Sequence, residues 1–132
     1  MKLTIGMATY DDFDGVYFTC NNIRFQAWDR IDEIDLVVID NNPTSKQGEA
    51  TKLFCQSANI RYLEEKRKQS TSVRNRVFTE AEAPVAMCID SHVLIEKESI
   101  YKLLDSAKSL ADDKNLYHGP MLYDYLDPDA TP

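Results

Sequence analysis

At 132 residues the chain is long enough for one domain with a sizeable core, and 43% hydrophobic against 28% charged residues excludes a disordered chain. A formal charge of −7 argues against a general nucleic-acid binder. Three cysteines (Cys20, Cys55, Cys88) are odd in number, with no CxxC spacing. They give no sign of a disulfide framework or a zinc site and point to reduced thiols in a cytoplasmic setting. No apolar run reaches membrane-spanning length, and the opening MKLTIGMATYDD is too short and interrupted for a secretory signal.

In chain order, Leu3–Ala8 reads as a first strand, followed by the acidic turn TYDDFDG. Val16, Cys20, Ile23 and Ala27 recur at helical spacing, with Asp14 as N-cap. Ile34–Ile39 is a second strand, ending in Asp40-Asn41-Asn42-Pro43. Thr44 and Gln47 fit a capping box for a helix lined by Ala50, Leu53, Phe54 and Ala58. Ile60–Leu63 is a short third strand. Ser70, Thr71 and Ser72 offer caps for a third helix facing the core with Val73, Val77, Phe78 and Ala81. Pro84–Ile89 is a fourth strand, and a fourth helix spans Ser99–Ala111. Leu116–Tyr123 reads as a last strand, and 126–132 as a flexible tail after a domain over 1–125.

Strict alternation of strands and helices predicts a parallel sheet covered on both faces. Right-handed crossovers bring all the strand ends to one edge, where the ligand crevice of an open α/β sheet lies. That edge gathers Thr9-Tyr10-Asp11-Asp12, Asp40-Asn41-Asn42, Glu64–Ser70 and Asp90-Ser91-His92. Asp40 can accept hydrogen bonds from a ribose hydroxyl or a base N–H, or simply close an Asx turn. Lys66, Arg67, Lys68, Arg74 and Arg76 form a basic cluster in an acidic chain. With helix N–H groups near Ser70–Ser72, Arg74 could grip a phosphate, or the run could be a solvated loop. Asp90 and His92 suit manganese or magnesium bridging a diphosphate, or Asp90 caps a helix in a polar turn. His118 could approach the same edge. The GxGxxG of dinucleotide folds is absent, and Asp11, Asp12 and Asp14 would repel a phosphate there.

With these pieces placed, the chain resembles the N-terminal, nucleotide-binding part of family 2 glycosyltransferases of the GT-A fold. The matching stretches are LTIGMATYDD, LVVIDNNP, STSVRNRVFTEA and VAMCIDSHV. The resemblance implies a three-layer α/β/α fold with a mostly parallel, Rossmann-like sheet. It also implies binding of a nucleotide-diphosphate sugar, a UDP-sugar foremost, for transfer to an unknown acceptor. Carried over, Thr9, Tyr10 and Asp11 of the strand-one loop and Asp40 hold the nucleoside, and Arg74 lies beside it. Asp90 and His92 take the place of the DxD motif that binds Mn2+ or Mg2+ and the diphosphate. Two departures stand out. His92 replaces the last acid of DxD, and the family's general base lies beyond that motif, where no residue before Pro132 is assignable. A fragment or short form is therefore expected, and its uncovered sheet would associate with a second copy. The alternative is a non-catalytic nucleotide-binding or assembly module. Asp12-Phe13-Asp14-Gly15 looks like the DxDG of haloacid-dehalogenase-type phosphatases, but Thr9-Tyr10-Asp11 separate it from the strand. A phosphoacceptor receiver fits poorly too, since the third strand ends without an aspartate.

Overall fold

Leu3, Ile5 and Met7 alternate with Thr4, Gly6 and Ala8, yet nearly all are buried, which is the pattern of a strand covered on both faces. In the computed structural model, which describes residues 1–66, 71–113 and 115–118, this strand is β1 (Leu3–Thr9). It is followed by α1 (Phe13–Gln26), β2 (Ile34–Asp40), α2 (Lys46–Ser57) and β3 (Arg61–Glu64). A 3-10 turn, Thr71–Arg74, then runs into α3 (Asn75–Thr79), and β4 (Val85–Asp90) and α4 (Lys97–Asp112) complete the series. The four strands are parallel in the order β3-β2-β1-β4.

The two faces are unequal. Leu3, Ile5, Met7, Leu36 and Val38 pack under α1, α2 and α4 through Val16, Cys20, Ile23, Cys55, Ile100 and Leu104. The other face carries a smaller core of Val37, Ile39, Val73 and Val77, covered by the five-residue α3. Gly6 marks the closest approach there, because a Cβ would lie 2.4 Å from Val77 Cγ1 and 2.9 Å from Val37 Cγ1. Gly6→Ala is therefore expected to cost about 1–3 kcal/mol by overpacking, read as a lower midpoint in urea at unchanged slope.

At the edge away from the strand ends, Thr4 Oγ1 donates to Asp35 Oδ2 (2.9 Å) and accepts from the amides of Glu82 (3.2 Å) and Ala83 (3.1 Å). Arg61 Nη1 lies 2.6 Å from Glu82 and 3.4 Å from Asp35. This network, buried at Thr4 and Asp35 and open to solvent at Glu82, ties β1, β2 and β3 to the chain entering β4.

Several local expectations are corrected. The N-cap of α1 is Asp12, not Asp14, because Asp12 Oδ1 accepts from the Gly15 amide at 3.1 Å. Ser45, not Thr44, caps α2, and Gln47 Oε1 instead accepts from the Phe13 amide at 2.9 Å. The inner face of α2 is Gly48, Thr51 and Cys55, which leaves Leu53 exposed. Phe78 is likewise exposed, since α3 is too short to bury more than one side. Leu116, Tyr117 and His118 are exposed and form no strand, and the remainder of the expected last strand and tail lies outside the described residues. Cys20, Cys55 and Cys88 are free thiols, and burial pushes Cys20 and Cys55 up to about 12, which makes both unreactive.

Candidate functional site

Register places Thr9 beside Asp40, Asp40 beside Glu64, and Ala8 beside Asp90, so the loops after all four strands leave at one edge. Successive strands build outward from β1 to β3, and then the chain returns to place β4 on the other side of β1. The reversal puts the switch point, and the crevice it opens, between the Thr9–Asp12 loop and Asp90-Ser91-His92.

The β1 loop is shaped by backbone geometry. Asp11 adopts a left-handed φ of 50°, which a short polar side chain tolerates, and its carboxylate accepts from Asn42 Nδ2 at 3.1 Å. Thr9 is buried, and its Oγ1 has no hydrogen-bond partner; Asn41 Oδ1 is also unpartnered. The Asn41 amide bonds the Thr9 carbonyl at 2.9 Å, so these two groups sit on adjoining strand ends. Tyr10 is half exposed beside them.

Asp12 joins that loop to the β4 loop. Its Oδ2 accepts from Ser91 Oγ at 2.5 Å and lies 3.6 Å from His92 Nδ1. Burial opposes ionisation of Asp12, but hydrogen bonds from Ser91 and the Gly15 amide, with His92 alongside, outweigh it and hold the carboxyl below its ordinary range. Thr19 Oγ1 of α1 donates to the Ser91 carbonyl at 2.8 Å, and Asn22 Oδ1 accepts from the Ile95 amide at 2.7 Å. The helix after β1 and the loop after β4 are therefore pinned together.

Asp40 is turned inward and only 1% exposed. Its Oδ1 accepts from the Asn42 amide (2.8 Å) and its Oδ2 from the Tyr62 hydroxyl (2.7 Å). Both oxygens are engaged here and fix the Asp40–Pro43 turn, the Asx-turn alternative that the sequence left open beside nucleoside contact. Burial, then the bond to Asp40, pushes the Tyr62 hydroxyl upward in pKa, which keeps it a donor.

Arg74 and Asp90, assigned separately from sequence, meet directly: Arg74 Nη2 lies 2.6 Å from Asp90 Oδ1, with side chains 59% and 38% exposed. Arg76 is structural instead, since it pairs with Glu65 (3.2 Å) and Glu80 (2.9 Å). Arg67, Lys68 and Ser70 lie outside the described residues. The helix-terminus reading for an anion also weakens, because the segment from Thr71 is a 3-10 turn leading into a short helix.

Asp90 and His92 do not converge on a preformed metal cage. Asp90 turns to Arg74 and His92 to Asp12, and among the described residues no three metal-ligating side chains come together. The donor chemistry still fits a hard divalent ion, because Mg2+- and Mn2+-type sites take one or two protein ligands and complete their shell with substrate phosphates. His118 is exposed, and no hydrogen bond or ion pair joins it to this edge among the described residues.

Sequence reasoning placed Asp12, Asn42 and Ser91 at this edge without their bonds, and missed Gly15 and Tyr62. Asp12 had a readable signal, the cap spacing to Gly15. Tyr62 had none, since its partner comes from a neighbouring strand.

A parallel sheet in this order, with loops from β1 and β4 framing the switch point, defines a Rossmann-like α/β protein, a class in which ligands bind at that edge. A family model described as Glycosyl transferase family 2 matches residues 4–119, and the chain belongs to that family. No curated protein matches the sequence closely enough to count as a relative. Among solved structures, S. aureus TarS (1-349) is similar at 19% identity and a TM-score of 0.68, with 83% of this chain and 33% of that one covered. TarS in complex with UDP-GlcNAc gives 17% identity and a TM-score of 0.66, covering 83% and 32%. The Pyrobaculum calidifontis mannosyltransferase PcManGT, in complex with GDP-Man and Mn2+, gives 16% identity and a TM-score of 0.63, covering 83% and 31%. These likenesses show the GT-A fold, and the chain spans about one third of the length of each neighbour. No helix among the described residues is long and apolar enough to cross a membrane.

Proposed function

We propose that this edge binds a nucleoside-diphosphate sugar, a UDP-sugar foremost, with a divalent cation, for transfer of the sugar to an acceptor. The observation that carries the reading is the Arg74–Asp90 pair at the switch point: a cation for phosphate and a carboxylate for metal, 2.6 Å apart and both accessible. Membership of glycosyl transferase family 2, and neighbours solved with UDP-GlcNAc and with GDP-Man and Mn2+, support it.

In this reading the half-exposed Tyr10 ring covers the base and Asp11, braced by Asn42, meets the nucleoside polar groups. Thr9 Oγ1 supplies a buried hydroxyl with no competing partner. Asp40 acts indirectly, by holding the turn that carries Asn41 and Asn42. Arg74 leaves Asp90 for the diphosphate, where a guanidinium binds two oxygens at once. Asp90, with His92, would hold Mn2+ or Mg2+, which when bound neutralises charge on the departing diphosphate.

Titration of UDP into the full chain, with and without manganese, tests the assignment by calorimetry. Manganese should strengthen UDP binding at least about tenfold, and Asp90→Ala should remove that gain while leaving the metal-free affinity in place. An equal manganese gain in the variant would sink the metal assignment. Release of nucleoside diphosphate from UDP-sugars over an acceptor panel separates the two outcomes: turnover makes the edge catalytic, and tight binding without turnover makes it a binding module.

A further inference from the structure

Beside the switch point, on the α1 side, lies an open groove of about 370 Å3 that shares only His92 with the donor reading. Its walls are the first two turns of α1 and the β4–α4 loop, and Asp12, Asp14, Phe18, Thr19, His92 and Leu94 line it. Phe18 is 63% exposed and Leu94 71%, and both line this space.

The groove is held in shape. Phe18 packs edge-on against Tyr17 at 5.6 Å, and Tyr17 rests on Phe54 at 5.1 Å, so the ring is backed by an aromatic cluster. The Thr19–Ser91 and Asn22–Ile95 bonds fix the distance between the two walls. Asp14 has no hydrogen-bond or ion-pair partner among the described residues. No lysine or arginine lines the space.

We propose that this groove is a subsite for an uncharged, hydroxyl-bearing sugar ring, with Phe18 as its stacking platform and Asp14 as an acceptor for its hydroxyls. A pyranose presents a face of weakly positive C–H groups, which suits the negative face of an aromatic ring, and a rim of hydroxyl donors, which suits carboxylates. In the metal-free chain Asp12 and Asp14 repel a phosphate, with no lysine or arginine in the lining to offset them, so a neutral ring is favoured over a phosphorylated one. His92 lies two residues from Asp90, so a ring here sits next to the place where a donor's sugar would be cleaved. That the ring is the acceptor rests on the donor reading above; that a neutral sugar binds does not.

The test is an amide-resolved NMR titration of the full chain with methyl glycosides of glucose, galactose and N-acetylglucosamine, and separately with UDP. At least one glycoside is expected to shift the amides of Phe18, Thr19 and Leu94. Phe18→Ala should weaken that glycoside about tenfold, and Asp14→Asn about threefold, while UDP affinity stays within about twofold. Phe25→Ala, on the same helix and 79% exposed but outside the groove, should change nothing. Glucose 1-phosphate should bind more weakly than the methyl glycoside. No glycoside response at the groove, equal glycoside affinity in Phe18→Ala, or equal binding of the phosphorylated sugar overturns the proposal. Glycoside binding without UDP binding upholds the groove and sinks the donor reading; UDP binding without glycoside binding sinks the groove alone.

Discussion

Gly15→Ala is expected to destabilise the chain by about 3 kcal/mol and to open the candidate site at the same time. A Cβ at this position would lie 2.2 Å from Asp12 Oδ2 and 2.6 Å from the Ser91 carbonyl oxygen. The first contact could be relieved by rotating Asp12, at the loss of its bonds to the Gly15 amide and to Ser91. The second cannot be relieved by a side chain, because the Ser91 carbonyl is backbone and is held by Thr19 at 2.8 Å. Either the β4 loop moves away from α1 or the helix shifts on its core. Both break the bond that joins the two loops of the switch point. Urea denaturation should show the loss of stability, and UDP affinity should fall with it. A change in stability below about 0.5 kcal/mol would mean that the two loops are not locked together, and the pinned geometry assigned to them would be wrong.

The strands were legible because their apolar runs are short and end abruptly in Asp40 and Asp90, so the parallel sheet and the edge where its strands end follow from pattern alone. Helix existence was legible for the same reason, but the caps were not. Asp14 and Thr44 stand where a cap is expected, yet Asp12 and Ser45 hold the bonds, because N-cap choice depends on one backbone torsion that periodicity does not encode. The site residues divide along a similar line. Thr9, Tyr10, Asp11, Arg74, Asp90 and His92 are all at the expected edge, since strand ends fix their position. What each side chain does there is set across strands: Arg74 and Asp90 are sixteen residues apart and form a pair, and Asp12 and Ser91 are seventy-nine apart and form another. Asp40 shows the limit most clearly. An acid after β2 reads as a ligand group or a turn residue, and its partner Tyr62, brought by the neighbouring β3, could not be read from the sequence.

That inward carboxylate supports the second large prediction. Asp40→Ala leaves the Asn42 amide and the Tyr62 hydroxyl without their acceptor in a half-buried space, and hydrogen bonds to a charged group are worth about 1.5–3 kcal/mol each. A loss of about 3–5 kcal/mol is expected, a large share of the 5–15 kcal/mol typical of a domain. Asp40→Asn should cost less than half of that. Its carbonyl oxygen can still accept from Asn42, and its amide can donate to Tyr62, whose hydroxyl turns to accept. Tyr62→Phe should fall between, with one bond lost and the Asn42 turn intact. The order Ala, Phe, Asn in decreasing cost, measured by urea denaturation, identifies Asp40 as the brace of the turn. UDP affinity should then follow stability across the three variants. If instead Asp40→Asn weakens uridine binding while leaving stability untouched, the carboxylate meets the nucleoside directly, and the Tyr62 bond must give way when the ligand enters.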